Sequence, residues 1–371
     1  MTRVALLLLM TLSSGSRLFS QSLGELKTKA SQGDASAQYS VAVIYEYGKG
    51  IPKDPAEAMK WYRKAAEQGH ADSQYALGFN YDRGRGVPQD HAEGLKWIRA
   101  AADQGNSKAQ SDVGFFYDRG IVVAQDYALA MQWYRKAADQ GYALAQKNVG
   151  VFYQYGYGVP KDEVEASKWY GKAAEQGLAS GQYNLALMYE HGQGVHLDQN
   201  EAFKWYMKAA EQGFATAQTN VGFCYERGQG VEKDIAMAFK WYQKAAVGGD
   251  LQGQFNLGCF FSRGAGVEQD DAEAAKWYRM AAERGHAAAQ VQLGATYESG
   301  KGVTKDFAEA AKWYRKAAEQ GDSGAQYQLG LIYQDGKGVP KDLAEARAWL
   351  KKAADQGVEE AKKALGALEG R

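Results

Sequence analysis

Cysteine is almost missing from this chain: 371 residues carry two, Cys224 and Cys259. No disulfide framework can run through it, although one bond between neighbouring helices stays open in an oxidising compartment. Proline is as scarce, with five residues, so long stretches are free of helix breakers. No excess of charge exists: 44 Lys and Arg balance 44 Asp and Glu. A general nucleic-acid binder needs a basic face and is excluded as a class. No long apolar run occurs either. The longest, Val4 to Leu12, spans nine residues and is too short to cross a membrane. The parts of familiar chemistry are also lacking. There is no Ser-x-x-Lys, Lys-Thr-Gly or His-Glu-x-x-His, and the five histidines are scattered. His191 and His196 flank one Gly-rich connector, a weak metal signal by themselves. The Gly-x-Gly segments follow helical patterns rather than strands and lack the Lys-Ser/Thr of a phosphate loop. These absences point to a protein that is not an enzyme and needs no cofactor or metal.

What the chain has is a period. Its nine tryptophans, from Trp61 to Trp349, stand 36 residues apart without a slip. A fixed period of this length marks a solenoid whose units bury their apolar faces only by stacking. Counting each unit from 1 to 36, with Asp34 as position 1, nine units run to Gly357 without insertion or deletion. Glycine closes every unit at position 36 and recurs at position 15, as in Gly48 and Gly69. Two glycines able to end a helix in the left-handed conformation predict two helices per unit. Helix A covers positions 2 to 14, with Leu or Val at 8, Gly or Ala at 9 and Tyr or Phe at 12 forming one stripe. Helix B follows Asp at position 21, present in all nine units and followed three residues later by Glu in seven, a capping-box pattern. The tryptophans at position 28 and the paired alanines at 32 and 33 read as core. All five prolines fall in the connector or at its exit, with Pro55 at a first helical position. The expected fold is all-α, an α/α superhelical solenoid of nine 36-residue helix-turn-helix repeats.

Around the array, residues 1–20 read as a secretory signal peptide: Arg3, the apolar run, then Ser13, Ser14, Gly15 and Ser16. Residues 21–33 resemble the end of a helix B, a partial repeat. Residues 358–371 resemble a helix A made polar by Glu359, Glu360, Lys362 and Lys363, as a solvent-facing cap requires. The expected location is therefore secreted or periplasmic. Cys224 and Cys259 read as small apolar core residues, with the inter-helix disulfide as the alternative.

The unit Ala-x-Ala-Gln-Tyr-x-Leu-Gly…Tyr…Gly-x-Gly-Val-x-Lys-Asp…Glu-Ala-x-Lys-Trp-Tyr-x-Lys-Ala-Ala-Glu-Gln-Gly resembles that of the Sel-one-like repeat family, a branch of the tetratricopeptide-like solenoids. The resemblance covers positions 34–357. It implies an adaptor that scaffolds protein complexes in secretory or envelope compartments. Some cysteine-rich bacterial members are described as β-lactamase-like or penicillin-binding; this chain lacks their cysteine pair per repeat. Repeat three departs locally, with Val122 where the other units have glycine and Leu129 in place of the capping Glu.

In related solenoids helix A lines the concave face. With positions 5, 8, 9 and 12 turned to the core, positions 3, 6, 10, 13 and 14 fall on the free face. That face predicts partner-binding residues: Tyr39, Tyr75, Tyr183, Phe255 and Tyr327 at position 6, Phe79 and Phe115 at 10, and Arg83, Arg119, Tyr155 and Arg227 at 14. Position 7 carries amides from Asn148 to Gln328, and position 5 is Gln throughout, which reads as structural. The expected partner is a protein or peptide held on the helix-A face, with no nucleic acid. Binding or acting on cell-wall material is the alternative.

Overall fold

The computed structural model describes residues 23–369, and the predicted signal segment, 1–20, lies outside the described residues. The described residues form helices and connectors with no strand. Helix α1 occupies 23–31. Eighteen helices of thirteen residues follow, from α2 (Ala35–Tyr47) and α3 (Pro55–Glu67) to α18 (Ser323–Asp335) and α19 (Leu343–Asp355); α20 is Glu359–Glu369. Even numbers are A helices and odd numbers from α3 are B helices, so each A helix fills positions 2 to 14 and each B helix 22 to 34. The chain divides into two compact units. One runs to Gly181 and includes Gln193–Val195; the other comprises Gln182–Gly192 and His196 onward. Successive helices pack on one another from α2 to α9 in the first unit and from α11 to α20 in the second.

The repeat closes at three glycines. Gly48 and its equivalents cap helix A at φ near +65 to +78°, and Gly69 and its equivalents follow the end of helix B at +83 to +94°. A third, at position 17 of most repeats, approaches the preceding repeat so closely that a Cβ would meet its backbone. A Cβ on Gly158 would lie 2.5 Å from the Tyr127 carbonyl oxygen, and one on Gly266 2.7 Å from that of Ile235. Repeat three keeps the left-handed backbone with a β-branched residue: Val122 has φ +66° and is 55% exposed. For an L residue this costs ~1–2 kcal/mol.

Asp at position 21 caps helix B as expected, its carboxylate accepting the N–H three residues on, as in Asp54 to Glu57 at 2.9 Å. The second half of the expected capping box does not form. The Asp54 N–H donates instead to the Tyr45 carbonyl at 2.9 Å, and the same bond recurs from Asp90 to Tyr81 through Asp342 to Tyr333. The released Glu57 pairs with Lys60 at 2.8 Å, and Glu93 accepts from the Trp97 indole at 2.7 Å. Each Asp cap contributes about 1 kcal/mol.

The core is built from small residues and rings. Alanines at positions 32 and 33 are buried along the array, and the position-29 tyrosines Tyr62, Tyr134, Tyr206 and Tyr242 are among the largest fully buried side chains. Position 9 is small so that these rings can lie on the backbone: a Cβ on Gly222 would sit 2.7 Å from Tyr242 Cδ1. Position 11 faces inward too, as buried Phe116, Phe152, Cys224, Phe260 and Ile332 demonstrate, whereas the position-12 tyrosines are only half-buried. The expected inward stripe therefore gains position 11, while position 12 packs against the core from its edge. An α-helix of 3.6 residues per turn brings residue 11 beneath residues 4 and 8, while residue 12 swings to the edge. There Tyr81 accepts from Arg63.

The position-5 glutamines are structural, as expected. Gln74 donates to the Ala66 carbonyl of the previous repeat at 3.1 Å, and its carbonyl accepts from Gln104 at 2.7 Å. Gln254 breaks the chain of amides. Arg284 replaces its glutamine donor and bonds Gly249 O at 2.8 Å, leaving Gln254 Oε1 without a partner. Cys224 and Cys259 are free thiols, the first buried and the second partly so. Burial pushes the Cys224 thiol up to about 12, making it an inert core residue.

Candidate functional site

In the first unit, helices α2, α4 (Ala71–Arg83) and α6 (Ser107–Arg119) stand side by side. They enclose a groove of about 620 Å³. Its walls are aromatic: Tyr39 and Tyr47 from α2, Tyr75 and Phe79 from α4, Tyr62 beneath, and Tyr142 at the far end. Among the sequence-predicted residues, Tyr39, Tyr75 and Phe79 are thus brought together. Glu46, Asp72 and Lys108, at the free-face positions 13 and 3, line it as well, and the groove also takes Asn80, Arg85 and Asn106, which position counting missed. Arg85 comes from a connector and Asn106 from a helix cap, so the periodicity of helix A gave no signal for either.

The groove's polar groups are partly committed. Tyr62 donates to Glu46 Oε2 at 2.6 Å and Asn80 Nδ2 approaches Glu46 Oε1 at 3.4 Å. Asn106 donates to Asp72 at 2.9 Å. Arg83 stands outside the groove. It pairs with its neighbour Asp82 at 3.2 Å and lies over the Phe79 ring at 5.6 Å, while Arg85 covers the same ring at 5.3 Å. Beneath Tyr75 lies Asp112, at position 7 of α6. Burial raises its carboxyl to about 6 against the pull of the Tyr75 hydrogen bond, with Asp82 adding to the rise and Arg83 opposing it. Burial and Asp112 together push the Tyr75 phenol upward, so it stays a hydrogen-bond donor.

The other predicted residues are dispersed. Phe115, 39% exposed, carries Arg119 over its ring at 5.9 Å, and Arg119 also meets Asp118 at 3.6 Å. Tyr155 is 60% exposed and stacks on Tyr157, which stacks in turn on Tyr127.

In the second unit, Tyr183 sits between Tyr206 and Phe214, and Phe255 between Tyr278 and His286. Position 6 in these repeats, as for Tyr39 between Tyr62 and His70, is a half-buried staple to the next repeat. Arg227 lies over Phe223 at 4.4 Å, and Tyr327 packs beside the terminal cluster of Leu350, Ala361 and Leu368. A smaller cavity of about 400 Å³ gathers Phe255, Asn256, Cys259, Arg263 and Gln292. Of the position-7 amides, Asn256 accepts from Gln252 at 2.8 Å. Among the described residues no group of three His, Cys, Asp or Glu side chains is arranged to hold a metal, and no helix is long and apolar enough to cross a membrane.

Fold and groove define a helical-repeat scaffold, a class in which rigid stacked units present side chains to a partner. The Sel1 repeat model matches nine consecutive segments, from residues 35–70 to 323–358, so the chain belongs to the Sel1 repeat family. It is similar to a protective antigen present in uropathogenic Escherichia coli strains with an SLR fold: 35% identity, 93% of this chain and 82% of that one, TM-score 0.68. It is similar as well to a Sel1 repeat protein from Oxalobacter formigenes, with 34% identity, 85% and 93% coverage, and TM-score 0.63. No curated protein matches the chain.

Proposed function

We propose that the protein is a secreted or periplasmic scaffold that holds a protein or peptide segment along the concave face made by its A helices, chiefly in the first unit. The observation that carries this reading is the groove of α2, α4 and α6. Six aromatic rings line one cavity of about 620 Å³, a size suited to a few side chains of an extended segment. Tyrosine and arginine are the residues enriched at binding hot spots, and Tyr75, Phe79 and Arg83 stand together on α4. The apolar run of residues 4–12 after Arg3 supports export, as does the protective-antigen description of the 35%-identical relative. The inert environment of Cys224 and the absence of serine β-lactamase motifs favour a scaffold over a wall-directed enzyme.

Capture of partners from an extracytoplasmic fraction tests the reading. The mature chain serves as bait beside a variant with Tyr75, Phe79, Arg83 and Phe115 changed to Ala. A protein recovered only by the unmutated bait is the expected result. Equal recovery by both baits removes the helix-A face from the function. Hydrolysis of a chromogenic β-lactam by pure protein favours the enzyme instead.

A further inference from the structure

Position 11 of helix A points into the repeat, and repeat two alone places an amide there. Asn80 is 3% exposed, yet its Oδ1 has no donor in the protein and the side chain lines the first unit's groove. An orphaned buried acceptor costs ~1–3 kcal/mol, and the equivalent residues in most other repeats are apolar and carry no such cost. Its neighbour Glu46 receives only neutral donors, the Tyr62 hydroxyl and the Asn80 amide. Asp72, across the groove, receives the Asn106 amide. Among the described residues no cation lies within ion-pair distance of Glu46 or Asp72. Other carboxylates at position 13 vary: Asp82 has Arg83 at 3.2 Å, Asp118 has Arg119 at 3.6 Å and Glu226 has Arg263 at 3.7 Å, whereas Glu298, like Glu46, receives a tyrosine hydroxyl. The groove therefore holds two carboxylates without an ion-pair partner and an unfilled acceptor within aromatic walls, with Arg85 and Lys108 also in its lining.

We propose that this groove selects an arginine side chain of an extended peptide, which deepens the scaffold reading and rests on it. A guanidinium brings positive charge and five N–H donors in a planar fork, enough to serve Glu46 and Asn80 together. Aromatic faces add cation–π attraction, and the groove already displays it, with Arg85 of the chain itself over Phe79 at 5.3 Å. An ammonium supplies the charge but not the fork, so lysine binds more weakly. A carboxylate meets repulsion.

The probes are four fluorescein-labelled pentapeptides, alike except for Arg, Lys, Gln or Glu at the centre, titrated into the full chain by fluorescence anisotropy. The Arg peptide is expected to bind about tenfold more tightly than the Gln peptide, equivalent to ~1.4 kcal/mol, with Lys between and Glu weakest. Glu46→Gln removes that preference without disturbing the fold, because Gln154 fills the same position and accepts from Tyr170 at 2.7 Å. Asn80→Leu raises the unfolding midpoint and weakens the Arg peptide, a pairing that a merely structural residue does not produce. Binding of the Gln or Glu peptide as tight as that of Arg, or Asn80→Leu with intact Arg affinity, overturns the arginine assignment. If all four peptides bind equally and Tyr75→Ala weakens them together, the scaffold reading stands and the arginine inference falls. If none binds, the arginine inference falls and the capture experiment judges the scaffold separately.

Discussion

Replacing Asp112 by Asn should stabilise the first unit at neutral pH and leave it unchanged in acid. Asp112 is the one carboxylate at position 7, where the four repeats after it carry Asn148, Asn184, Asn220 and Asn256. Its carboxyl is raised from 3.8 to about 6, chiefly by burial. A raised acid is most comfortable protonated, so the folded state carries no penalty below about 3.8. The penalty grows through the interval between the two values and is complete above about 6. At ~1.36 kcal/mol per pH unit, the full penalty is at most about 3 kcal/mol. Asparagine removes the charge and retains an acceptor for the Tyr75 hydroxyl. Urea unfolding at about pH 4 and about pH 8, followed by hydrogen exchange in α6 so that the affected repeat is observed directly, measures the difference. A higher midpoint and slower exchange at the upper pH alone is the expected result. An equal gain at both values, or a larger one in acid, refutes the assignment of Asp112 as a buried, unfavourably charged carboxyl.

Val122→Gly should stabilise by about 1 kcal/mol, since relief of ~1–2 kcal/mol of left-handed strain exceeds the added flexibility of the unfolded chain; a lower thermal midpoint would contradict it. Arg284→Gln should raise stability by ~0.5–1.5 kcal/mol, because Gln356 in the equivalent place bonds both Gly321 O at 3.1 Å and the Gln326 carbonyl at 2.8 Å. Denaturant unfolding checks it, and the double variant with Gln254→Leu should lose the gain. Gly222→Ala should cost roughly 1–3 kcal/mol despite alanine's better helix propensity, because the new methyl meets the Tyr242 ring at 2.7 Å; thermal melts that show stabilisation contradict the packing account.

The fold was legible because the 36-residue period constrained every position nine times over. Helix A at positions 2 to 14 and the start of helix B at the Asp of position 21 followed from glycine and aspartate, whose backbone roles are local. The reach-back of Glu57 was not legible, because a tertiary bond from Asp54 to Tyr45 takes the N–H it needs. The site was legible in part. Tyr39, Tyr75 and Phe79 share a groove because helix periodicity aligns them, but spacing could not reveal that position-6 rings are clamped by the next repeat. Nor could it assign Asn80, at a position placed in neither the core stripe nor the free face. Its signal was present as an amide where sister repeats are apolar, and it became meaningful only with Glu46 beside it.

The most direct test of the central claim is hydrogen exchange of the full chain with and without its captured partner. Protection concentrated on α2, α4 and α6, with α3 (Pro55–Glu67) and α5 (His91–Asp103) unchanged, is what the account predicts. Protection on those B helices, with the A helices exchanging as in the free protein, contradicts it.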